Sequence, residues 1–258
     1  MKEWALVTGG SRNIGAGIAR RLRLDGFNVV VASRTPPEHE DFDDYIAVDF
    51  LEPAAAAAAI KAAIGDRAVT RFVHNAAITN EDLTVEVSMD TILRIYTVNT
   101  MAFMALSQVV IPIMQRERVG RIVVIGSRAG LGKVRRSAYA ASKSALNGLV
   151  RTMALELGGD GITVNCVGPG PIETSMFRNS TTPGSQDYIN LNKGVPVGYV
   201  GEPADIAHAV SFFMSDGARF CTGQTIFICG GTSVAFVDPN RPDVDHRFSK
   251  GFPSAGTR

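Results

Sequence analysis

Cysteine is scarce in this chain, and its three thiols form no recognisable pattern. Cys166, Cys221 and Cys229 are odd in number, so they cannot all pair with one another, and their spacing matches no metal-binding motif. The sequence therefore predicts free thiols, no metal site and a reducing compartment, for which the cytoplasm is the best match.

Excess charge and long apolar runs are also missing. The formal net charge is only +1, which gives no reason to expect a nucleic-acid partner. The longest apolar runs fall well short of the ~20 residues that a membrane span needs, so no membrane association is expected. Residues 1–4 lead directly into a first strand, and we therefore expect no signal peptide. With 45% hydrophobic and 20% charged residues among 258, the composition is typical of a globular protein.

Short apolar runs alternate with helical segments along most of the chain. The predicted strands are 4–8, 28–33, 45–49, 71–77, 121–126, 161–166 and 224–228. The predicted helices are about 14–24, 54–64, 89–116 and 137–157, and another begins near 201. This alternation predicts one α/β domain, residues 1–236, built on a seven-stranded, parallel, doubly wound sheet with helices on both faces. Residues 237–258 are polar and proline-rich, and are predicted to form a C-terminal tail.

A glycine-rich loop joins the first strand to the first helix. It runs from Gly9 to Gly15, and the succession of strand, glycine loop and helix is the context in which a dinucleotide is bound. The two glycines allow the backbone to approach a pyrophosphate, and the helix N-terminus adds N–H groups and a positive dipole end. An ordinary turn is the alternative, but the flanking elements favour cofactor binding.

A tyrosine and a lysine lie four residues apart in alanine-rich sequence. On a helix this spacing puts Tyr139 and Lys143 on the same face. An ammonium beside a phenol favours the phenolate, so we expect Lys143 to lower the pKa of Tyr139 from about 10. Ser127 follows the apolar run of the fifth strand, where its hydroxyl can bind the same substrate oxygen. Taken alone, the pair is better explained by an exposed tyrosine and lysine on a surface helix.

Ser127 with its preceding glycine, the Tyr-x-x-x-Lys pair and the glycine loop together resemble the short-chain dehydrogenase/reductase family over about residues 4–235. The resemblance implies a Rossmann-type fold and hydride transfer between a nicotinamide and a carbonyl or alcohol. It implies that Ser127 and Tyr139 bind the substrate oxygen, that Tyr139 is the general acid/base, and that Lys143 lowers its pKa and holds the nicotinamide ribose. Asn99 falls at the family's helix asparagine, which joins these three residues through a water.

The resemblance also implies which residues bind the cofactor. They belong to the glycine loop, the ends of strands two to four, the catalytic helix and a Pro-Gly-Pro turn, and are Gly9, Ser11, Arg12, Asn13, Ile14, Gly15, Arg34, Asp49, Phe50, Asn75, Ala76, Tyr139, Lys143, Pro169, Gly170, Ile172 and Thr174. Arg12 and Arg34 stand where NADP-dependent members place the cations for the extra phosphate, which predicts NADP(H), with NAD(H) as the alternative. The acidic residues after Pro37 oppose this preference if they fold back onto the site.

Several positions depart from the family's pattern. Asn13 replaces a glycine, and asparagine is the non-glycine residue that best tolerates a positive φ. His74 and Ala77 stand where Asn and Gly are usual, and Cys229 stands where Asp is frequent. We interpret His74 as a core or supporting histidine, with a catalytic base as the alternative.

The substrate cannot be named from these motifs. Four cations lie between the catalytic serine and tyrosine, namely Arg128, Lys133, Arg135 and Arg136. They predict a site that attracts an anionic carbonyl substrate, such as a 3-oxoacyl thioester on an acidic carrier protein or on coenzyme A. A solvated basic loop, or one that faces acidic residues of a neighbouring subunit, is the alternative. A small neutral ketone, an NAD-linked alcohol or sugar dehydrogenase, and a non-catalytic cofactor-binding regulatory protein are the alternatives. Residues 175 to about 200 are predicted to form a substrate lid. Surplus apolar residues on the helices 89–116 and 137–157 predict a homodimer or homotetramer.

Overall fold

Seven strands form one parallel sheet, as the sequence predicts. The computed structural model describes residues 3–182 and 184–238. The strands, in chain order, are β1 (Trp4–Thr8), β2 (Asn28–Ser33), β3 (Asp44–Ala47), β4 (Val69–His74), β5 (Gly120–Ile125), β6 (Ile162–Pro169) and β7 (Thr225–Ile228). Their order across the sheet is β3-β2-β1-β4-β5-β6-β7. From β1 the chain first adds strands on one side of the sheet, β2 and β3, and then on the other, β4 to β7. The crevice between the carboxyl ends of β1 and β4, where this order switches, is the place where such folds bind ligands.

Helices cover both faces of this sheet. In the part of the chain that the structure describes they are α1 (Asn13–Leu24), α2 (Pro53–Ile64), α3 (Met89–Tyr96), α4 (Ala102–Glu117), α5 (Ser137–Leu157), α6 (Ser175–Ser180), α7 (Gln186–Gly194) and α8 (Pro203–Met214). Apolar side chains of α2, α4 and α5 pack on one face, and those of α1 and α8 pack on the other. Every residue of β4, β5 and β6 is buried, which explains why these strands read as apolar runs rather than as alternating patterns.

The predicted helix 89–116 is divided into three parts. A π-helical turn, Thr97–Met101, separates α3 from α4 and contains Asn99. Pro112 lies inside α4 without ending it. Turns of this kind are frequent at functional sites, because the extra residue redirects the side chains that follow. The asparagine singled out from the sequence therefore sits at the one irregular point of this long helical stretch.

The stretch Met89–Glu117 is also long and apolar enough to cross a membrane, by length and composition alone. About half of its most apolar window is buried inside the protein. Phe103, Leu106 and Val110 are fully buried against the sheet. The apolar character of the stretch is thus explained in large part by its place in the core.

The boundary between domain and tail falls near the end of the described chain. The backbone N–H of Val237 donates to the carbonyl of Gly194 at 3.0 Å, so the chain still contacts α7 at that point. Residues 239–258, which make up nearly all of the predicted tail, lie outside the described residues. The division into residues 1–236 and 237–258 stays a prediction.

Candidate active site

A cavity of about 1100 Å³ opens at the carboxyl ends of the central strands. Its size lies at the upper end of ordinary small-molecule pockets, which reach about 1,000 Å³, and leaves room for a dinucleotide. All seventeen residues that the resemblance assigns to the cofactor line it, from Gly9 on the first loop to Thr174 on the Pro-Gly-Pro turn. Ser127 lines it as well. Segments far apart in the sequence are thus brought together around one space.

The glycine loop has the geometry that a pyrophosphate requires. Gly9 adopts a φ of 61°, and a Cβ added at Gly15 would lie 2.0 Å from the carbonyl oxygen of Gly9. Asn13 adopts a φ of 52°, so asparagine accepts here the left-handed conformation in which the family usually has glycine. No side chain caps the start of α1 and no acidic residue lies in its first turn, which leaves its N–H groups available for an anion. The residues present therefore fit a dinucleotide phosphate.

Thr8 organises the exit of β4 beside this loop. Its hydroxyl oxygen accepts from the backbone N–H of Asn75 at 3.0 Å and of Ala76 at 3.2 Å. With both lone pairs used, the hydroxyl proton points to Nδ1 of His74, at 3.1 Å. The side chain of Asn75 in turn donates to the carbonyl of Gly9 at 2.9 Å. The Asn75–Ala76 segment is thereby held against the glycine loop.

His74 is fully buried among the rings of Phe50, Phe72 and Phe103. Burial, followed by the nearby charge of Lys143, lowers the pKa of His74 to about 3. The ring is therefore neutral at physiological pH and is enclosed away from the cavity. The interpretation as a core histidine is confirmed, and its role is to orient the Thr8 hydroxyl.

Ser127, Tyr139 and Lys143 meet at the inner end of the cavity. Ser127 comes two residues after β5, and the other two residues share one face of α5, as their spacing predicts. Ser127 and Tyr139 both line the cavity, and the interaction of Ser127 with the phenol acts to lower the pKa of Tyr139. The Lys143 ammonium lies 5.9 Å from the centre of the tyrosine ring and donates to the carbonyl of Ile125 at 2.7 Å. A phenol, a hydroxyl and an ammonium thus converge on one point of the wall, where they can hold and protonate an oxygen.

Comparisons with known proteins agree with this geometry. A sequence-family model described as enoyl-(acyl carrier protein) reductase matches residues 9–233. The 3-oxoacyl-[acyl-carrier-protein] reductase FabG of Salmonella typhimurium is 34% identical over 238 residues, which cover 88% of this chain and 96% of the relative. A solved short chain dehydrogenase/reductase family protein superposes with a TM-score of 0.82 at 29% identity, covering 90% of this chain and 98% of its own. The actinorhodin polyketide ketoreductase, solved with NADPH, gives 0.80 at 30% identity, covering 90% and 97%.

The chain belongs to the short-chain dehydrogenase/reductase family. It is an NAD(P)-dependent oxidoreductase that acts on alcohol and carbonyl groups. Both statements agree with the expectations drawn from the sequence. The motifs that carry the resemblance also line a single cavity in the structure.

The electrostatics of the tyrosine differ from the sequence-based expectation for this family. Burial raises the pKa of Tyr139, and the hydrogen bond from Ser127 and the charge of Arg136 only partly oppose the rise. Lys143 does not produce the expected lowering, because burial lowers its own pKa to about 8 and the ammonium loses its proton before the phenol titrates. The phenol is therefore held in its protonated form, ready to donate.

Asn99 stands behind the cavity wall rather than in it. Its Oδ1 accepts from the backbone N–H of Ile78 at 2.9 Å, and its Nδ2 donates to the carbonyl of the same residue at 3.0 Å and to the hydroxyl of Ser142 at 3.0 Å. Ser142 lies on α5 and donates to the carbonyl of Tyr139 at 2.8 Å. Asn99 thus ties the loop after β4 to the helix that carries the tyrosine. The water-linked proton relay that the resemblance implies stays a prediction.

The segment between β2 and β3, residues 34–43, contains no helix and folds back over the glycine loop. The N–H of Asp41 donates to Nδ1 of His39 at 3.0 Å, which leaves Nε2 as the donor to the carbonyl of Gly10 at 2.8 Å. The N–H of Glu38 donates to the carbonyl of Ser11 at 3.0 Å. Sequence reasoning did not assign His39 to the site, since its partner lies on a loop 29 residues earlier.

Arg12 and Arg34 are both exposed and both line the cavity. A carboxylate oxygen of Glu38 lies 4.0 Å from the guanidinium of Arg12, and both side chains are more than half exposed. The acidic segment therefore does fold back, as the sequence analysis allowed, but this contact leaves the arginine accessible.

Three of the four cations between Ser127 and Tyr139 are engaged by the protein itself. Arg128 donates to the carbonyl of Thr232 at 3.1 Å, and Arg135 donates to the carbonyl of Glu81 at 2.9 Å. Arg136 binds Thr79 and Asn80 and forms an ion pair with Glu81. Only Arg136 is paired with a carboxylate, whereas Arg128 binds neutral carbonyls, keeps its charge and lines the cavity. The anion guide therefore stays a prediction. Lys133, with an exposed side chain, lines the cavity.

The outer part of the cavity contains residues that the sequence analysis missed. Phe177 and Leu191 come from α6 and α7, in the segment predicted to be the substrate lid, and Phe236 comes from the C-terminal segment. Arg94, on α3, adds a cation at the same wall. Apolar residues within the polar lid were a usable signal for the first two. Nothing local marked Phe236 or Arg94, because tertiary packing alone brings them to the opening.

Proposed function

We propose that this protein uses NADPH to reduce the 3-oxo group of an acyl thioester to an alcohol. Relatives that are 34% identical over most of both chains carry the name 3-oxoacyl-[acyl-carrier-protein] reductase, which supports this substrate class. The cofactor is NADP(H), as in the related ketoreductase solved with NADPH. When bound, NADPH supplies the hydride, and the rest of the chemistry belongs to side chains of this chain.

The observation that carries the proposal is the form of the cavity. Its inner end holds Ser127 and Tyr139, and its outer part combines the apolar Phe177 and Leu191 with the cationic Lys133. A 3-oxoacyl thioester has matching parts: a polar ketone, an apolar acyl chain and an anionic carrier. A small neutral ketone or a sugar makes no use of the apolar and cationic outer part.

The inner residues take complementary roles in this proposal. Tyr139 donates its proton to the carbonyl oxygen, because burial keeps the phenol protonated. Ser127 donates a hydrogen bond to the same oxygen and fixes its position. Lys143, buried with one protein acceptor, has N–H groups left for a ribose hydroxyl. Asn99 positions the tyrosine through Ser142.

The preference for NADP(H) over NAD(H) is attributed to Arg12 and Arg34. Both guanidiniums are exposed at the cavity, where they can bind the additional phosphate by paired charge-assisted hydrogen bonds. Asp49, at the end of the β3 segment, and Phe50 line the same region and are assigned to the adenine.

The proposed assembly is a cytoplasmic homotetramer or homodimer. Met89, Leu93, Met101 and Met104 on the outer side of the α3–α4 stretch are between 45% and 67% exposed. Apolar residues grouped on one helical stretch favour burial by a second subunit. Light scattering at micromolar concentration measures the mass directly, and a monomer would contradict this part of the proposal.

The function is tested by following NADPH absorbance with a set of substrates. We expect turnover of a short 3-oxoacyl-coenzyme A ester with kcat/KM at least tenfold above that for a neutral ketone of similar length. NADH should support a lower kcat/KM than NADPH. Oxidation of aldohexoses with NAD⁺ at a higher kcat/KM would contradict the proposal in favour of a sugar dehydrogenase, and saturable NADPH binding without any turnover would favour a regulatory protein.

A further inference from the structure

Asn13 connects the cofactor loop to the substrate lid by two hydrogen bonds. Its Nδ2 donates to the hydroxyl of Ser175 at 2.9 Å, and its Oδ1 accepts from the backbone N–H of Ser175 at 3.0 Å. The two residues are 162 positions apart in the sequence. Asn13 is the first residue of α1, and Ser175 is the first residue of the lid helix α6.

The location of this contact matters because both residues line the cavity. The N-terminus of α1 is the place where a dinucleotide phosphate binds, and Asn13 stands there with a φ of 52°. Glycine satisfies this backbone conformation at no cost, so the conformation alone does not call for asparagine. The asparagine side chain adds what a glycine lacks, which is a bridge from the phosphate site to the lid.

The lid end of the bridge is itself well anchored. The Thr174 hydroxyl accepts from the N–H of Phe177 and caps α6, and the N–H of Glu173 donates to the carbonyl of Gly201 at 2.8 Å. A contact made to Ser175 is therefore passed to α6, whose Phe177 lines the outer cavity.

We propose that the Asn13–Ser175 pair is a clasp that closes the cavity over the phosphate site and slows the exchange of NADP(H). This inference rests on the proposed function, because it assumes that the cofactor binds in this cavity. Entry and release of the dinucleotide phosphate require the clasp to open, and two neutral, exposed hydrogen bonds resist opening modestly. Losing two hydrogen bonds of ordinary strength accelerates exchange by roughly five- to 150-fold.

The test measures NADPH dissociation by stopped-flow fluorescence with excess NADP⁺ as the competitor. Asn13→Gly removes the clasp and keeps the loop conformation, and we expect dissociation about tenfold faster than in the wild type. Ser175→Ala removes one of the two bonds and should accelerate dissociation by about threefold. The double variant should match Asn13→Gly, because the second change removes nothing that remains. Ser175→Thr keeps both the hydroxyl and the N–H, so its dissociation rate should stay within twofold of the wild-type rate.

Two controls separate the clasp from a general weakening of the fold. Asn13→Ala also removes the clasp but places alanine at a positive φ, so it should unfold at a lower temperature than Asn13→Gly while sharing its fast dissociation. Gln186→Ala alters an exposed lid residue whose side chain contacts Asn190, and should leave the dissociation rate unchanged. In the cofactor-free protein, hydrogen exchange of the amide of Ser175 should be faster in Asn13→Gly than in the wild type.

The outcomes distinguish this inference from the proposed function. If the wild type binds NADPH and Asn13→Gly releases it at the same rate, the clasp is refuted and the function stands. If the wild type shows no saturable NADPH binding, the proposed cofactor site is wrong. Additive effects of Asn13→Gly and Ser175→Ala would also overturn the clasp, because they would mean that the two side chains act separately.

Discussion

Buried cations lie at both edges of the sheet, where the strands begin and where they end, and they differ in how many of their donors the protein occupies. At the amino edge, Arg71 of β4 and Arg121 of β5 are neighbours in register, and their side chains are 2% and 5% exposed. Arg71 binds the carbonyl of Met214 at 2.8 Å and pairs with Glu3 at 2.9 Å and Asp216 at 3.1 Å. Arg121 binds several backbone carbonyls and lies 3.6 Å from the same aspartate. These arginines fasten the end of α8 to the sheet.

At the carboxyl edge, Lys143 is buried with a single protein acceptor, the carbonyl of Ile125. An ammonium has three donors, so this one is incompletely satisfied. Burial lowers the pKa of Lys143 to about 8 and also lowers the pKa of Arg71, but the donors of Arg71 are occupied by protein acceptors. The comparison indicates that donors matched by the protein stabilise the fold, while unmatched donors cost stability and are kept for ligands. The following experiments test that division.

The largest effect is expected at Tyr139. Tyr139→Phe removes the proton donor and keeps the ring, so turnover should fall by about 10²- to 10⁴-fold, the usual contribution of a general acid. NADPH affinity should change by less than threefold, because the helix and the phosphate site are unaltered. Steady-state kinetics and fluorescence titration measure the two quantities. Turnover within tenfold of the wild type would exclude Tyr139 as the acid.

At the amino edge, Arg71→Met should lower the free energy of unfolding by about 2–4 kcal/mol. The loss arises because the Met214 carbonyl and the Thr70 hydroxyl lose a buried donor. Urea denaturation gives the value. Arg116→Met is the matched control, since its ion pair with Glu117 is on the surface and should contribute less than about 1 kcal/mol. Equal effects of the two changes would remove the contrast between the edges.

Lys143→Met should raise the free energy of unfolding at neutral pH, whereas Arg71→Met should lower it. The lysine has a pKa of about 8 in the folded protein and 10.5 as the ordinary value, so its charge destabilises the fold fully below pH 8 and progressively less up to pH 10.5. The variant should therefore be about 2 kcal/mol more stable at pH 7, after the lost bond to Ile125 is allowed for, and about 1 kcal/mol less stable than the wild type above pH 10.5, where only the lost bond remains. Urea denaturation at both pH values measures this difference. A variant less stable at pH 7 would mean that the ammonium stabilises the fold.

The smallest effect is expected where charges are exposed. Glu38→Gln removes the carboxylate 4.0 Å from Arg12 and should lower the KM for NADPH by about two- to threefold, because surface pairs are worth less than about 1 kcal/mol. Steady-state kinetics with NADPH and NADH check this, and the KM for NADH should not change. Glu40→Gln, on the same segment, serves as the control. An equal shift for both cofactors would show that the carboxylate does not act on the extra phosphate.

Much of the site could be predicted because its signals are local. The glycine loop, the four-residue spacing of Tyr139 and Lys143, and Ser127 at a strand end each depend on a few consecutive residues and on regular helix or strand geometry. Parallel strands bring their carboxyl ends to one edge of the sheet, so a parallel sheet places these motifs at the same edge. The pKa of Tyr139 could not be predicted in the same way, because spacing along a helix says nothing about how deeply the residue is buried.

The sequence by itself determined the alternation of strands and helices, the family and which residues we propose as catalytic, because period and motif depend on neighbours along the chain. Only the tertiary structure decided how each charge is used. Arg135 and Arg136 are engaged by residues 79–81, His39 reaches the carbonyl of Gly10, and Asn13 reaches Ser175 across 162 positions. Such contacts depend on how the fold brings together loops that are far apart in the sequence. Burial and the nearby partners then set whether a charged side chain is paired, neutralised or left for a ligand.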